Sequence, residues 1–314
     1  VNKWIFIFGS PRSGTTYTGN LFGNIDNSVV IPEAQFLVKF IKYVDGEGIV
    51  HNRDRLYHDI KNDFSFVAWS IDINEVVKQC SNIKELKFHK LFTEFAISYC
   101  RKNNIYFDKN TIFIDHTPES FKSFDKLSYL ATGIYFYHLV RDGRAVSASV
   151  LDCDFGIVLP EQAGLYWARH LAGGLLCESL APESIRRIRY EDVLTWDQNA
   201  LSQVLKGVTD KPVTDINYDN FAPSRYTRST HKLVPQAPDP QRCDAWKDEL
   251  TARQIQLVES TCGELLSLLG YEPMYWPDIT GRSTIEHLTK LVEEPVGKLL
   301  QKISTARRRS LVDR

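Results

Sequence analysis

The segment from Trp4 to Thr16 constrains this chain more than any other. It begins with Trp4-Ile5-Phe6-Ile7-Phe8, an apolar run without polar alternation, which suits a strand buried on both faces. It continues as Gly9-Ser10-Pro11-Arg12-Ser13-Gly14-Thr15-Thr16 and then enters a helical pattern. A strand, a glycine-bearing turn and a helix in that order aim the unpaired amides of a first helical turn at an anion. The helix dipole adds to the attraction. Gly9 and Gly14 let the backbone curl around a phosphate, and the Thr15 and Thr16 hydroxyls supply further donors. The spacing is that of the loop G-x-x-x-x-G-K-[ST], with Thr15 in the lysine's place. That lysine serves the β- and γ-phosphates, so its replacement speaks against a nucleoside triphosphatase. The bland alternative is a plain Gly-Pro turn between strand and helix.

The rest of the chain predicts the fold around this loop. Further strands are expected at Ser28–Ile31, Thr111–Ile114, Ile134–Val140 and Ile185–Tyr190. Helical patterns fall between them at Gly14–Gly23, Phe36–Tyr43, Pro118–Leu130, Gly143–Leu151 and Gln162–Leu180. Alternation of this kind predicts an α/β fold: three layers, P-loop-like, with a central parallel sheet flanked by helices. At 314 residues the chain can bury a substantial core. Its 38 Lys+Arg against 39 Asp+Glu disfavour a globally basic nucleic-acid binder, and none is expected as a partner. No apolar run reaches the ~18 residues of a spanning helix. The six scattered cysteines form no C-x-x-C pair, so neither a metal site nor a disulfide framework is expected. The predicted location is cytoplasmic.

Two segments stand apart. Asn217–Pro240 is rich in Pro, Ser, Thr and Asn and reads as a long ordered loop of the functional kind. The chain then divides into a main domain, 1–280, and an amphipathic helical extension, 281–314. The extension carries Ile285, Leu288, Val292, Val296, Leu299 and Ile303 on one stripe and ends in Arg307-Arg308-Arg309. It reads as a cap on the domain or a homodimer contact, with peripheral docking on an anionic membrane as the alternative.

A second strand-turn-helix block is Tyr135-Phe136-Tyr137-His138-Leu139-Val140-Arg141-Asp142-Gly143-Arg144, with Ser149 eight residues beyond Arg141. Arg141 ends its strand where open α/β sheets bind ligands, and a guanidinium fork suits a phosphate. Asp142 and Arg144 read as a local ion pair. The first loop, G-x-P-R-S-G-T-T, resembles the 5′-phosphosulfate loop of the sulfotransferase family. These enzymes use 3′-phosphoadenosine 5′-phosphosulfate (PAPS) as donor and release adenosine 3′,5′-bisphosphate. The arginine with a serine eight positions later resembles the family's 3′-phosphate site. The resemblance implies that Arg12, Ser13, Gly14, Thr15 and Thr16 hold the phosphosulfate. It implies Arg141 and Ser149 at the 3′-phosphate, and Tyr190, in a strand followed by Tyr-Glu-Asp, against the adenine. As a buried core aromatic, Tyr190 would need no ligand.

Sulfuryl transfer requires a base for the acceptor hydroxyl and stabilisation of the departing phosphate oxygen. Glu33, in Val29-Val30-Ile31-Pro32-Glu33, is the expected base, returned to the sheet edge beside the loop. It resembles the catalytic glutamate of tyrosylprotein sulfotransferases and some bacterial relatives; a first-turn charge of the next helix is the bland reading. His116, in Asp115-His116-Thr117-Pro118, stands where relatives carry a lysine that contacts the bridging oxygen. An imidazolium donates there, whereas a neutral hydrogen-bonding histidine is the alternative. Arg12 is grouped with both as catalytic. Tyr226-Thr227-Arg228-Ser229-Thr230-His231-Lys232 resembles the family's closing donor loop, with Ser229 at the donor phosphates. The expected activity is O-sulfotransfer from PAPS, without a metal, to a hydroxyl on a tyrosyl peptide or a carbohydrate. A P-loop kinase or nucleotidase using ATP and magnesium is the alternative; it lacks a convincing metal-side aspartate at the end of a second apolar strand, Asp115 being the only candidate.

Overall fold

The computed structural model describes residues 2–128, 133–153, 156–222, 234, 236–276 and, further on, 294–296, 298, 299, 302, 303 and 306. Five strands, β1 (Lys3–Gly9), β2 (Ser28–Val30), β3 (Ile112–Asp115), β4 (Ile134–Val140) and β5 (Ile185–Arg189), form one sheet in the order β2-β3-β1-β4-β5. Every neighbouring pair is parallel. On one side β1 pairs with β3 from Lys3↔Ile112 to Phe6↔Asp115; on the other it pairs with β4 as far as Gly9↔Leu139. The chain therefore leaves β1 for one edge, returns as β3, and crosses over β1 to begin β4. Strand order reverses at β1, and the crevice of such a switch point opens at the strands' carboxyl ends. The phosphate loop, His116 and Arg141 all follow those ends.

The uninterrupted apolar run of β1 alternates in size, and the two faces of the sheet use the difference. Trp4, Phe6 and Phe8 face an aromatic core with Phe113, Phe136 and the helix Phe88–Lys102. Trp4 meets Phe92 edge-on at 4.7 Å, and Phe6 stacks with Phe136 at 5.5 Å between centroids. Ile5 and Ile7 face a second core with Ile114, Leu139 and helix α1 (Thr15–Phe22), whose Leu21 and Phe22 are buried there. A third cluster joins the helices Gly143–Leu151, Pro160–Leu180 and Ala252–Leu268 through Val146, Trp167 and Val258.

Several boundaries differ from the sequence reading. Phe36–Tyr43 splits into an α-helix, Gln35–Lys39, and a 3-10 turn, Ile41–Tyr43. Pro118–Ser123 is 3-10 before Phe124–Ser128 turns α-helical. The long helix begins at Pro160, since proline suits a first helical turn. Tyr190 opens a short helix, Tyr190–Val193, instead of ending β5. The expected Asp142–Arg144 pair is present at 2.8 Å, and Glu259 completes it: Arg144 Nη1 lies 2.9 Å from its carboxylate, which is fully buried. Of the C-terminal stripe, Val296, Leu299 and Ile303 are described and exposed. Its remainder, the triple arginine and Ser229 lie outside the described residues. Among the described residues no helix is long and apolar enough to cross a membrane.

Candidate functional site

The loop after β1 is shaped by two left-handed residues, Arg12 at φ 73° and Gly14 at φ 104°. Left-handed residues within a turn gather successive N–H groups into one concavity, which suits an anion. Gly14 is also required sterically, because a Cβ there would sit 2.4 Å from Tyr190 Cε2. At the head of α1, Gly14 gives no side-chain cap and the first turn carries no acidic residue, so no side chain of the turn itself competes for its amides. Thr15 and Thr16 are buried in that turn. The Ser13 hydroxyl is buried and has no hydrogen-bond partner.

The two expected phosphate sites adjoin. Arg12 Nε donates to Ser149 Oγ at 3.0 Å, and Arg141 Nη1 donates to the Arg12 carbonyl at 3.2 Å. The Arg141 guanidinium lies 4.3 Å from the Tyr190 ring centroid, a cation–π geometry, while its Nε is buried without a partner. Tyr190 is thus both buried and part of the crevice wall, under Arg141 and against Gly14. Trp167 Nε1 donates to the Arg141 carbonyl at 3.1 Å and holds the strand end in place. Unpaired buried donors and an uncapped helix are the features that a polyanion satisfies.

Glu33 and His116 meet at the other side of the loop. His116 Nδ1 lies 4.0 Å from Glu33 Oε1, and Gln35 Nε2 donates to Glu33 Oε2 at 2.9 Å. Glu33 keeps 21% of its side chain exposed, whereas His116 is 1% exposed. Burial pushes the Glu33 carboxyl up to about 7, and the nearby Asp115 carboxyl adds to the rise; Gln35, Arg12 and Thr16 oppose it. Burial likewise raises Asp115 to about 7 against the pull of its hydrogen bonds.

Sequence reasoning missed what holds Glu33 in place. Asp115 accepts from Thr117 N and from Thr117 Oγ1, both at 2.9 Å. Thr117 Oγ1 in turn accepts from Ala34 N at 2.7 Å. All three residues are buried, so the chain after Glu33 is clamped to the end of β3. Thr117 before Pro118 looks like a helix cap, yet it makes no cap bond, and only its unused hydroxyl hinted at another partner. Thr117→Val keeps the shape but removes the buried hydroxyl that accepts from Ala34 N and donates to Asp115. It is expected to cost about 1–3 kcal/mol, read as a lower midpoint in thermal or denaturant unfolding.

Among the described residues no group of three or more His, Cys, Asp or Glu is arranged to hold a metal ion. No curated protein matches this chain. In fold it is similar to the sulfotransferase domain from the curacin biosynthetic pathway, with 18% identity and a TM-score of 0.53 over 87% of this chain and 99% of that one. The sulfotransferase domain from the Synechococcus PCC 7002 olefin synthase has 18% identity and a TM-score of 0.49, over 82% and 94%. The model of the sulfotransferase family matches residues 5–209, a span that begins in β1 and contains the phosphate loop, Glu33, His116, Arg141, Ser149 and Tyr190. With well over half of its length matched, and with the elements that form the crevice inside the match, this chain belongs to the sulfotransferase family and is a sulfuryl-transferring enzyme.

Proposed function

We propose that the enzyme takes the sulfuryl group from PAPS and gives it to a hydroxyl of a tyrosyl peptide or a carbohydrate, with Glu33 as general base. The observation that carries this reading is the meeting of Glu33 and His116 beside the uncapped start of α1, with Arg12 and Thr16 acting on the same carboxylate. In the step itself, the acceptor O–H gives its proton to Glu33 as its oxygen bonds to sulfur. The bond from sulfur to the bridging phosphate oxygen breaks, and its electron pair stays on adenosine 3′,5′-bisphosphate. His116 donates to that departing oxygen. The loop from Arg12 to Thr16 holds the 5′-phosphosulfate, Arg141 and Ser149 hold the 3′-phosphate, and Tyr190 packs on the adenine. The buried, unpartnered Ser13 Oγ and Arg141 Nε support such a ligand. The magnesium-dependent kinase reading loses its metal-side carboxylate, because Asp115 is buried with both oxygens engaged by Thr117.

Ligand-induced stabilisation tests the donor. PAPS or adenosine 3′,5′-bisphosphate in the presence of a chelator should raise the unfolding temperature, because a ligand that binds only the folded state stabilises it. Stabilisation by ATP with magnesium alone would overturn the proposal. Transfer from isotopically labelled PAPS across peptide, glycan and phenol acceptors then identifies the acceptor class.

The elevated Glu33 also sets a pH dependence. Below about pH 7 its carboxyl is protonated and takes no proton from the acceptor. The value of kcat/KM should therefore rise roughly tenfold per pH unit toward 7 and level off above it. A profile that is flat from pH 5 to 8 would remove Glu33 from the role of base.

A further inference from the structure

Asn20 lies in α1, below the phosphate loop, and is fully buried. Asparagine is a poor interior helix residue because its amide competes for backbone groups. Here the amide is wholly engaged by a distant stretch of chain. Its Oδ1 accepts from Phe221 N at 2.8 Å, while its Nδ2 donates to the carbonyls of Tyr218 at 2.5 Å and Val234 at 3.1 Å. The Asn20 carbonyl also accepts from Asn220 Nδ2 at 3.2 Å. Phe221, held in this way, is 7% exposed and meets the His116 ring edge-on, with centroids 4.9 Å apart.

The same helix touches His116 directly. A Cβ placed on Gly19 would stand 3.0 Å from His116 Cβ and 3.1 Å from its Cδ2. The imidazole is therefore packed against the backbone of α1 and the Phe221 ring, with Nδ1 toward Glu33. The second torsion of a histidine has broad wells, so packing decides where its nitrogens point.

We propose that Phe221, fixed by the Asn20 carboxamide, is a positioning residue for sulfuryl transfer: with Gly19 it holds the His116 imidazole in register with Glu33. This rests on the assignment of His116 to the reaction. One helix then carries the donor-facing amides at its start and, a turn later, Gly19 against the histidine and Asn20, which fixes Phe221. Phosphate binding and the chemical step share a rigid frame.

A double-mutant cycle in kcat, with an unactivated acceptor, tests the proposal. Phe221→Leu keeps an apolar side chain but opens space beside the imidazole. It should lower kcat roughly 10- to 100-fold, the scale expected for a catalytic group displaced by about 1 Å. Affinity for adenosine 3′,5′-bisphosphate should stay within about twofold. In a His116→Ala background the same substitution should change kcat by less than about twofold, because its effect runs through the imidazole. Gly19→Ala should slow turnover as Phe221→Leu does, because its Cβ would crowd the imidazole from the helix side. Equal slowing by Phe221→Leu in both backgrounds would overturn the proposal and leave the role of His116 standing. Full activity of His116→Ala alone would instead remove the assignment on which the proposal rests.

Discussion

Glu33→Gln should lower kcat by about 10²–10⁴-fold while donor affinity stays nearly unchanged. The amide keeps the size of the carboxylate and its place beside Gln35, but it cannot take the acceptor's proton. His116→Ala should also slow turnover, for a different reason: it removes a donor from the departing oxygen, a loss often worth about 2.7–4 kcal/mol. An acceptor with a more acidic hydroxyl separates the two. An activated phenol needs less basic help and should recover much of the rate of Glu33→Gln. It should not recover His116→Ala, whose defect lies on the leaving side. Full activity of Glu33→Gln on an unactivated acceptor would pass the role of base to another group, and His116, 4.0 Å away, would be the first to examine.

What the sequence made legible was local, and what it hid was long-range. The strand from Trp4 to Phe8 and the loop from Gly9 to Thr16 carry their signals within a few residues, in apolar continuity and spaced glycines. The turn at Arg141 is legible for the same reason. Convergence of Glu33 with His116 follows from chain order alone, because each residue closely follows a strand at the same end of the sheet. The clamp of Asp115, Thr117 and Ala34 is not legible that way, nor is the grip of Asn20 on Phe221: each needs partners about 80 to 200 residues apart in the chain, with no pattern in either segment to announce the other. The charged region after Asp45 hid its helices. Arg53–Lys61 buries only Leu56 and Ile60, so its apolar stripe is too thin to stand out among the charges. Tyr190 was legible as an aromatic at a strand's end, but its contact with Gly14 depends on the left-handed turn of a loop far away in sequence.

Arg141→Ala should weaken PAPS binding about 10- to 150-fold, the loss of a charge-assisted contact of roughly 1.5–3 kcal/mol. The choice of ligand is what gives the measurement its meaning. Removing the guanidinium also removes its stacking on Tyr190, and every donor analogue that uses the adenine site shares that loss. A donor analogue without the 3′-phosphate should therefore lose much less than PAPS, and the difference reads the phosphate contact alone. Equal losses for the two ligands would sink the assignment. Arg12→Ala should behave differently, weakening the truncated analogue at least as much as PAPS, because its side chain faces the 5′ end of the donor in this proposal. The bond between the two residues does not confuse the comparison: Arg141 donates to the Arg12 backbone carbonyl, which survives the substitution. A side-chain link between the two sites is Arg12 Nε to Ser149 Oγ. Arg12→Ala frees that hydroxyl for the 3′-phosphate, so any coupling between the two sites should appear as a smaller loss for PAPS than for its truncated analogue.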